Sequence, residues 1–456
     1  MRNKLMLIPT LLVAAAFATG GQAEQSKYDP DALAKTVAPF IDELTIAVFH
    51  VDLARVDVDA TFAKLKEMLD VKGDGDDELA STRATLGRIV TGFTKAGGTN
   101  LYVVVSLADM DREPMLMIVP LSAESDPKAL RNLLLYGGPD APAERPSRRQ
   151  AVIIGGAMVA ARPSQIRRLR EMQTPHPRPA LSQAFAAAGD TAAQILILPT
   201  DDNRRVVEEM LAEPFEQFTG RPLTVLTRGA LWAAIGVDAP PKMRLRVVMQ
   251  SKDPDAAKAL WPAIPKLLKT LLVAASGGEE KAKAAWPDLD KSLQPLTPEV
   301  AKNRLALDLD DKKLSTLISD IVPPALRLAR QQARRAVSAA KIRGILMACL
   351  LYANDNKQQW PPDLEALFKA ALISDKRLLV NPARPADAVG YVYVRPRQPA
   401  DKMKLASDVV LVYEKHDQWP AGGINVGFAD GHVQLIADRA RFQELLKKTT
   451  AAKKDN

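Results

Sequence analysis

The strongest constraint on the fold of this 456-residue chain is a series of local signals that it gives twice. Residues 45–51 and 194–198 read as strands, and each is followed by a helical pattern, 58–69 and about 202–211. A couple of strands comes next in both halves, 101–105 with 115–119 and 230–237 with 245–249. The same helix-start signal then appears, Ser125-Asp126-Pro127 and Lys252-Asp253-Pro254. An Asp there accepts the free N–H groups of a first helical turn, and Pro supplies a suitable φ while lacking a donor that would go unused. Each half closes with a strand and a helix, 158–161 into 163–166 and 305–309 into 311–314. Residues 153–158 read as a hairpin turning at Gly155-Gly156. The series predicts an α+β fold: a duplicated, α/β-sandwich-like unit with mixed or antiparallel sheets covered on one face by helices. The first repeat is 24–173 and the second 174–322, joined at Thr174-Pro175-His176-Pro177-Arg178-Pro179.

Residues 1–23 read as a secretory signal peptide: Arg2 and Lys4 precede the apolar stretch 5–18, and Gly21-Gln22-Ala23 offers a cleavage site. The mature chain is therefore expected outside the cytoplasm, in the periplasm or beyond. No later segment approaches the roughly 20 apolar residues that a transmembrane helix needs, so none is expected in it. Cys349 is the single cysteine, which excludes an intrachain disulfide. Its apolar, helical surroundings make it a buried small residue. The formal charge of +8 includes Arg2 and Lys4, and aromatics are 5% of the chain. Spread charge and sparse aromatics argue against nucleic acid as a partner. The densest basic group, Arg327, Arg330, Arg334, Arg335, Lys341 and Arg343, reads as the solvated face of a helix.

Catalytic signatures are weak. The sequence has no phosphate-binding loop, no nucleophile elbow, no His-Glu-x-x-His pair and no cysteine cluster. Asp74, Asp76, Asp77 and Glu78 suggest calcium, but Leu79 stands where a calcium-binding loop needs Gly, and Thr85 stands where it needs Glu. They read as a solvated loop, with Asp77 or Glu78 opening a helix towards Val90. Asp52, Asp57 and Asp59 follow the first strand and read as helix caps. His50 reads as a strand residue and His176 as exposed.

From 325 to about 354, apolar and small residues recur every three or four positions, including Leu326, Ala333, Val337, Ala340, Met347 and Leu351, as in one long helix. Pro323-Pro324 is expected at its start, because Pro begins but does not continue a helix. After Asn354-Asp355, Trp360-Pro361-Pro362 leads into a short helix through Ala370. Strands follow at 390–394 and 409–413, then a hairpin, 424–429 and 432–436, turning at Asp430-Gly431. The combination of Asn354, Asp355, Trp360, Pro361, Pro362, Asn425, Asp430, Gly431 and His432 resembles bacterial prepilin-like proteins, those with a His, a spacer and a closing Asp-Gly before the last strand. The resemblance covers about residues 335–440. It implies a pilin-like domain at 323–445, a long helix packed on an antiparallel sheet, followed by a basic flexible tail at 446–456. The family's hydrophobic half-helix is not next to this helix, and Asn381 stands where such domains often carry cysteine. The resemblance thus implies a borrowed display or docking domain.

His416, Asp417, Asp430 and His432 form the one candidate ligand set for a divalent metal, zinc or manganese by donor type. Turn and strand geometry alone also explain Asp430 and His432, and no cofactor is otherwise indicated. Trp360 and Trp419 are the only hints of a surface ligand such as a polysaccharide. The expected function is an exported, non-catalytic scaffold or interaction protein of the cell envelope, with envelope or surface proteins as partners. The alternative is a metal-dependent extracytoplasmic enzyme or a surface-ligand-binding protein.

Overall fold

The computed structural model describes residues 28–69, 74–109, 115–138, 148–172, 178–219, 223–238, 240–261, 263–403, 405–420 and 422–450. The expected leader at 1–23, His176 and residues 451–456 lie outside them. The chain divides into two compact units, residues 1–325 and 326–456.

The first unit is built on one ten-stranded sheet. Its strands are β1 (Thr45–Asp52), β2 (Asn100–Ser106), β3 (Met115–Pro120), β4 (Gln150–Ile154), β5 (Ala157–Ala161), β6 (Ala193–Ile197), β7 (Ala230–Asp238), β8 (Arg244–Ser251), β9 (Glu299–Ala301) and β10 (Arg304–Leu309). They lie in the order β4-β5-β3-β2-β1-β6-β7-β8-β10-β9, and every neighbouring pair is antiparallel. The seam is the β1–β6 pair. Counted outward from it, each half places its first, second, third, fifth and fourth strand in turn.

The helices that follow the sheet are α1 (Pro30–Val37), α2 (Val58–Leu69), α3 (Asp74–Lys95), α4 (Pro127–Tyr136), α5 (Pro163–Glu171), α6 (Ala180–Ala188), α7 (Asp201–Thr219) and α8 (Pro254–Leu260). Asp126 caps α4 by accepting from the Lys128 and Ala129 N–H groups at 2.9 and 3.1 Å. Asp253 caps α8 by accepting from Ala256 N–H at 2.7 Å. Between β4 and β5, Gly155 and Gly156 both take positive φ, 57° and 78°, the conformation a two-residue hairpin turn requires.

Helices cover both faces of the sheet, not one as the sequence suggested. Ala34 and Val37 of α1, Ile166 of α5 and Phe185 of α6 are buried with Val48, Tyr102, Val104 and Ile118. The opposite core joins Phe62 of α2, Ile89 and Phe93 of α3 and Leu130 of α4 to Val51, Val103, Met117 and Val119. Side chains alternate across a strand, so a run such as Tyr102-Val103-Val104, all buried, needs cover on both sides. The acidic residues from Asp74 onward are also not a loop, since α3 begins at Asp74. Acidic residues are favoured at that end of a helix, where free N–H groups concentrate positive charge.

A third difference concerns the Pro pair. Helix α9 runs without a break from Asp311 to Asp355, with Pro323 and Pro324 inside it. Its start is fixed earlier, by Asp310, whose side chain accepts from Lys313 N–H at 2.9 Å just after β10. A helix already nucleated and packed through Leu314 and Ile318 absorbs the two missing donors. The apolar part of α9 includes an 18-residue window of mean hydropathy 1.5, long and apolar enough by composition to cross a membrane. This corrects the expectation that no later segment is long and apolar enough; Lys341 and Arg343 lie within the apolar stretch and obscure it in the sequence.

The second unit is a four-stranded antiparallel meander, β11 (Tyr391–Tyr393), β12 (Val410–Glu414), β13 (Ile424–Phe428) and β14 (Val433–Ile436), in sequence order. Ile342, Ile345, Leu346 and Cys349 of α9 are buried with Trp360, Leu379, Tyr391 and Leu411. A second core joins Val410, Val426, Phe428 and Ile436 to Phe442, with Leu445 and Leu446 packed against it. The last three belong to α10 (Arg439–Thr450), so the expected flexible tail does not begin at 446. Phe442, Leu445, Leu446 and Thr449 recur at helical spacing, and Thr449 Oγ1 accepts from Val410 N–H at 2.9 Å. Residues 446–450 are thus part of the packed unit.

Candidate functional site

The hairpin residues expected to carry chemistry are held by local bonds. Asp430 Oδ1 accepts from His432 N–H at 3.1 Å and lies 2.6 Å from His432 Nδ1. The His432 ring stacks on Phe428 with centroids 4.3 Å apart. Burial pushes the Asp430 carboxyl up, but the hydrogen bonds from His432 backbone and ring outweigh it and hold the group below the usual carboxylate range. Gly431 has φ of 91°, as the turn demands.

The other members of the candidate metal set lie elsewhere. Val410 pairs with Phe428 at the hairpin end of β12, whereas His416 follows Glu414 at the opposite end. At about 3.4 Å per residue, the length of β12 separates the two places by about 14 Å. His416 Nε2 is 3.7 Å from Glu414 Oε2, and Asp417 pairs with Arg384 at 2.9 Å. His416, Asp430 and His432 therefore do not converge, and among the described residues no group of three or more His, Cys, Asp or Glu side chains does. Sequence proximity suggested convergence, and strand register separates the residues.

The remaining motif residues join helix to sheet. Asn425 is buried, and its Nδ2 donates to Arg335 O of α9 at 2.9 Å and to Glu414 Oε1 at 3.0 Å. Its backbone N–H donates to Glu414 Oε2 at 2.8 Å. A buried carboxylate thus has both oxygens bonded by one residue. Gly427 sits where a Cβ would fall 2.6 Å from Ile342 and 2.7 Å from Leu346, so its lack of a side chain sets the approach of α9. Trp360 is buried and donates to Gln398 O at 3.1 Å, while Trp419 donates to Ala437 O and packs on Phe442. Both tryptophans serve packing. Cys349 is fully buried, and burial raises its thiol to about 12.

A buried polar cluster lies at the β1–β6 seam, around a histidine that the sequence presented as an ordinary strand residue. His50 is 4% exposed and faces Gln194 directly in register. His50 Nδ1 is 2.9 Å from Gln194 Oε1, and Nε2 is 2.8 Å from Asn100 Oδ1, whose amide nitrogen donates to Thr99 Oγ1 at 3.1 Å. The ring lies 4.6 Å from that of Tyr102 and edge-on to Phe185 at 6.0 Å. Gln194 Nε2 donates to Gly189 O at 2.6 Å and to Tyr28 Oη at 3.0 Å, and Tyr28 donates to Phe185 O at 2.6 Å.

These bonds orient the ring, and its burial bears on its protonation. Both donors of Gln194 are committed, so its oxygen faces His50, and Nδ1 carries the proton. Burial lowers the His50 value, opposed by the hydrogen bonds to Asn100 and Gln194, so the ring is neutral at pH 7. Burial likewise raises the Tyr28 hydroxyl to about 12 and keeps it a donor. The cluster satisfies the final carbonyls of α6 and binds that helix to the sheet. Gly236, opposite Gln194, permits this, because a Cβ there would lie 2.1 Å from Ala188 O.

Of the three acidic residues near the end of β1, Asp52 and Asp57 cap as the sequence indicated and Asp59 does not. Asp52 accepts from Ala54 N–H and Asp57 from Ala60 N–H, while Asp59 pairs with Arg83 at 2.8 Å. A separate group lies around Arg168, which reaches Asp109 at 2.6 Å and Asp42 at 3.0 Å. Burial would raise the Asp109 carboxyl, but hydrogen bonds from Arg168 and Gln165 hold it below its ordinary value. Asp42 also accepts from Thr45 Oγ1 at 2.7 Å and from Ser106 Oγ at 3.1 Å, which ties the ends of β1 and β2 to this group. No family model, curated protein or solved structure matches the chain.

Proposed function

We propose that this chain is an exported, non-catalytic interaction protein of the bacterial cell envelope, made of a duplicated α+β unit followed by a pilin-like domain. The duplication is supported by the equal strand order on either side of the β1–β6 seam and by the Asp-Pro helix start after the third strand of each half. The pilin-like reading is supported by the long helix α9 against a meander that ends in the Asp430-Gly431 hairpin.

One observation carries the functional reading. The polar residues that stand out in the sequence, His50, Asp126, Asp253, Asn425, Asp430 and His432, are each bonded within the fold, as caps, turn bonds or links between helix and sheet. A protein whose distinctive polar residues serve architecture acts through its surface, and its partners are envelope or surface proteins.

The test is crosslinking of the tagged chain in intact envelopes, followed by size analysis and partner identification. A defined partner that is retained equally by Asp430→Ala and His432→Ala supports the proposal. A protein that stays uncrosslinked and monomeric in native envelope extracts overturns it.

A further inference from the structure

We propose that the outward side of α9 docks on an anionic lipid surface. Three exposed apolar side chains, Val337, Met347 and Leu351, are 48%, 57% and 48% accessible. At about 100° per residue they share roughly 80° of the helix circumference and span about 21 Å of its length. Apolar side chains this exposed on one helix stripe lack the cover that its inner face receives from Trp360 and Leu411.

The neighbouring sector supplies the charge. Arg327, Arg330 and Arg334 are exposed and occupy roughly the next 60° of the same helix. None of them has a hydrogen bond or ion pair among the described residues, unlike Lys341, which donates to Arg377 O and Val380 O. Guanidinium groups without partners beside an uncovered apolar stripe match a surface that is negative outside and apolar just beneath. Lipid headgroups and acyl chains meet both demands in one plane. An acidic protein would answer the arginines and leave the apolar stripe unexplained.

The inference differs from the proposed protein-partner role and is tested separately, by co-sedimentation of the full chain with vesicles. Vesicles of phosphatidylcholine alone are compared with vesicles containing about 40% phosphatidylglycerol, at low and at physiological salt. The apolar stretch 5–18 is common to all variants, and the neutral vesicles measure its contribution. The expected result is binding favoured by the anionic lipid and weakened by salt. Arg330→Glu with Arg334→Glu reduces it at least about 10-fold, on the scale of about 1 kcal/mol for each basic residue near a charged membrane. Met347→Gln with Leu351→Gln also weakens it. Circular dichroism and the melting midpoint, unchanged because all four side chains are exposed, show that each variant is folded. A fluorophore at Leu351→Cys shifts to shorter wavelength on anionic vesicles only. Equal binding to both vesicle types, binding unaffected by the charge reversals, or no binding of the wild type overturns the proposal.

Discussion

His50 and Gln194 meet side chain to side chain at 2.9 Å across the β1–β6 seam, two polar residues paired in register at the centre of a ten-stranded sheet. Each belongs to a different half of the first unit. Their bond continues through Gln194 to Gly189 O and Tyr28, so one hydrogen-bonded chain couples both halves to α6.

Replacing His50 by Leu removes the partner of the buried Gln194 oxygen. The expected loss is about 2 to 4 kcal/mol of unfolding free energy, since a stranded buried polar group keeps its desolvation penalty. Urea denaturation measures it. A loss below about 0.5 kcal/mol shows that the network does not hold the seam.

The same residue sets a pH dependence. Burial lowers the folded value of His50 below the ordinary 6.5, so the unfolded chain binds a proton that the folded chain refuses. Stability from the neutral ring is complete above about pH 6.5 and declines as pH falls below it. Melting midpoints between pH 8 and pH 5 are expected to drop on the acid side, and the drop is expected to shrink in His50→Leu. An equal slope in both proteins assigns the dependence to other groups.

Asp109 governs a lower window. Its folded value is depressed, so it contributes stability above the ordinary value of 3.8 that is lost as pH falls through the folded value. Asp109→Asn is expected to cost about 1 to 3 kcal/mol at pH 7 and to flatten the acid limb below pH 4. Acid titration of stability by tryptophan fluorescence distinguishes this from a general acid effect.

In the second unit, Gly427→Ala puts a methyl group 2.6 Å from Ile342 and 2.7 Å from Leu346. Overpacking of this kind costs about 1 to 3 kcal/mol. Calorimetry of the purified variant reads it directly, and a neutral outcome means that α9 shifts freely over β13.

Asn425→Leu removes a side-chain donor from the buried Glu414 and is expected to destabilise by about 3 kcal/mol. His432→Ala, at an exposed turn, is expected to cost less than about 1 kcal/mol. The ratio between the two matters more than either value. Comparable losses contradict the division between helix–sheet link and surface turn.

Much of this was readable from local rules. The Asp126 and Asp253 caps and the Gly155-Gly156 turn follow from residues a few positions apart. The cover on both faces was signalled by Tyr102-Val103-Val104, an apolar run with no polar alternate, yet the helices that provide it are distant in sequence. Pro323 and Pro324 misled because propensity counts a missing donor without the packing that holds the helix on either side. The His50 cluster was illegible because it joins Tyr28, Asn100, Gly189 and Gln194, and only strand register brings these together. Register also separates the candidate metal ligands, since His416 and Asp430 belong to consecutive strands and lie at opposite ends of β12 and β13.

The position of β6 beside β1 also bears on how the protein is made. Residues 45–52 are translated long before 193–197, so during synthesis the edge of β1 stands open, a row of unpaired backbone groups among Val48, Phe49 and Val51. The first half cannot finish its sheet alone. Until its sequence counterpart emerges, that edge is a template for another nascent copy, and protection during this interval, by an escort or by speed, becomes a condition of reaching the native state.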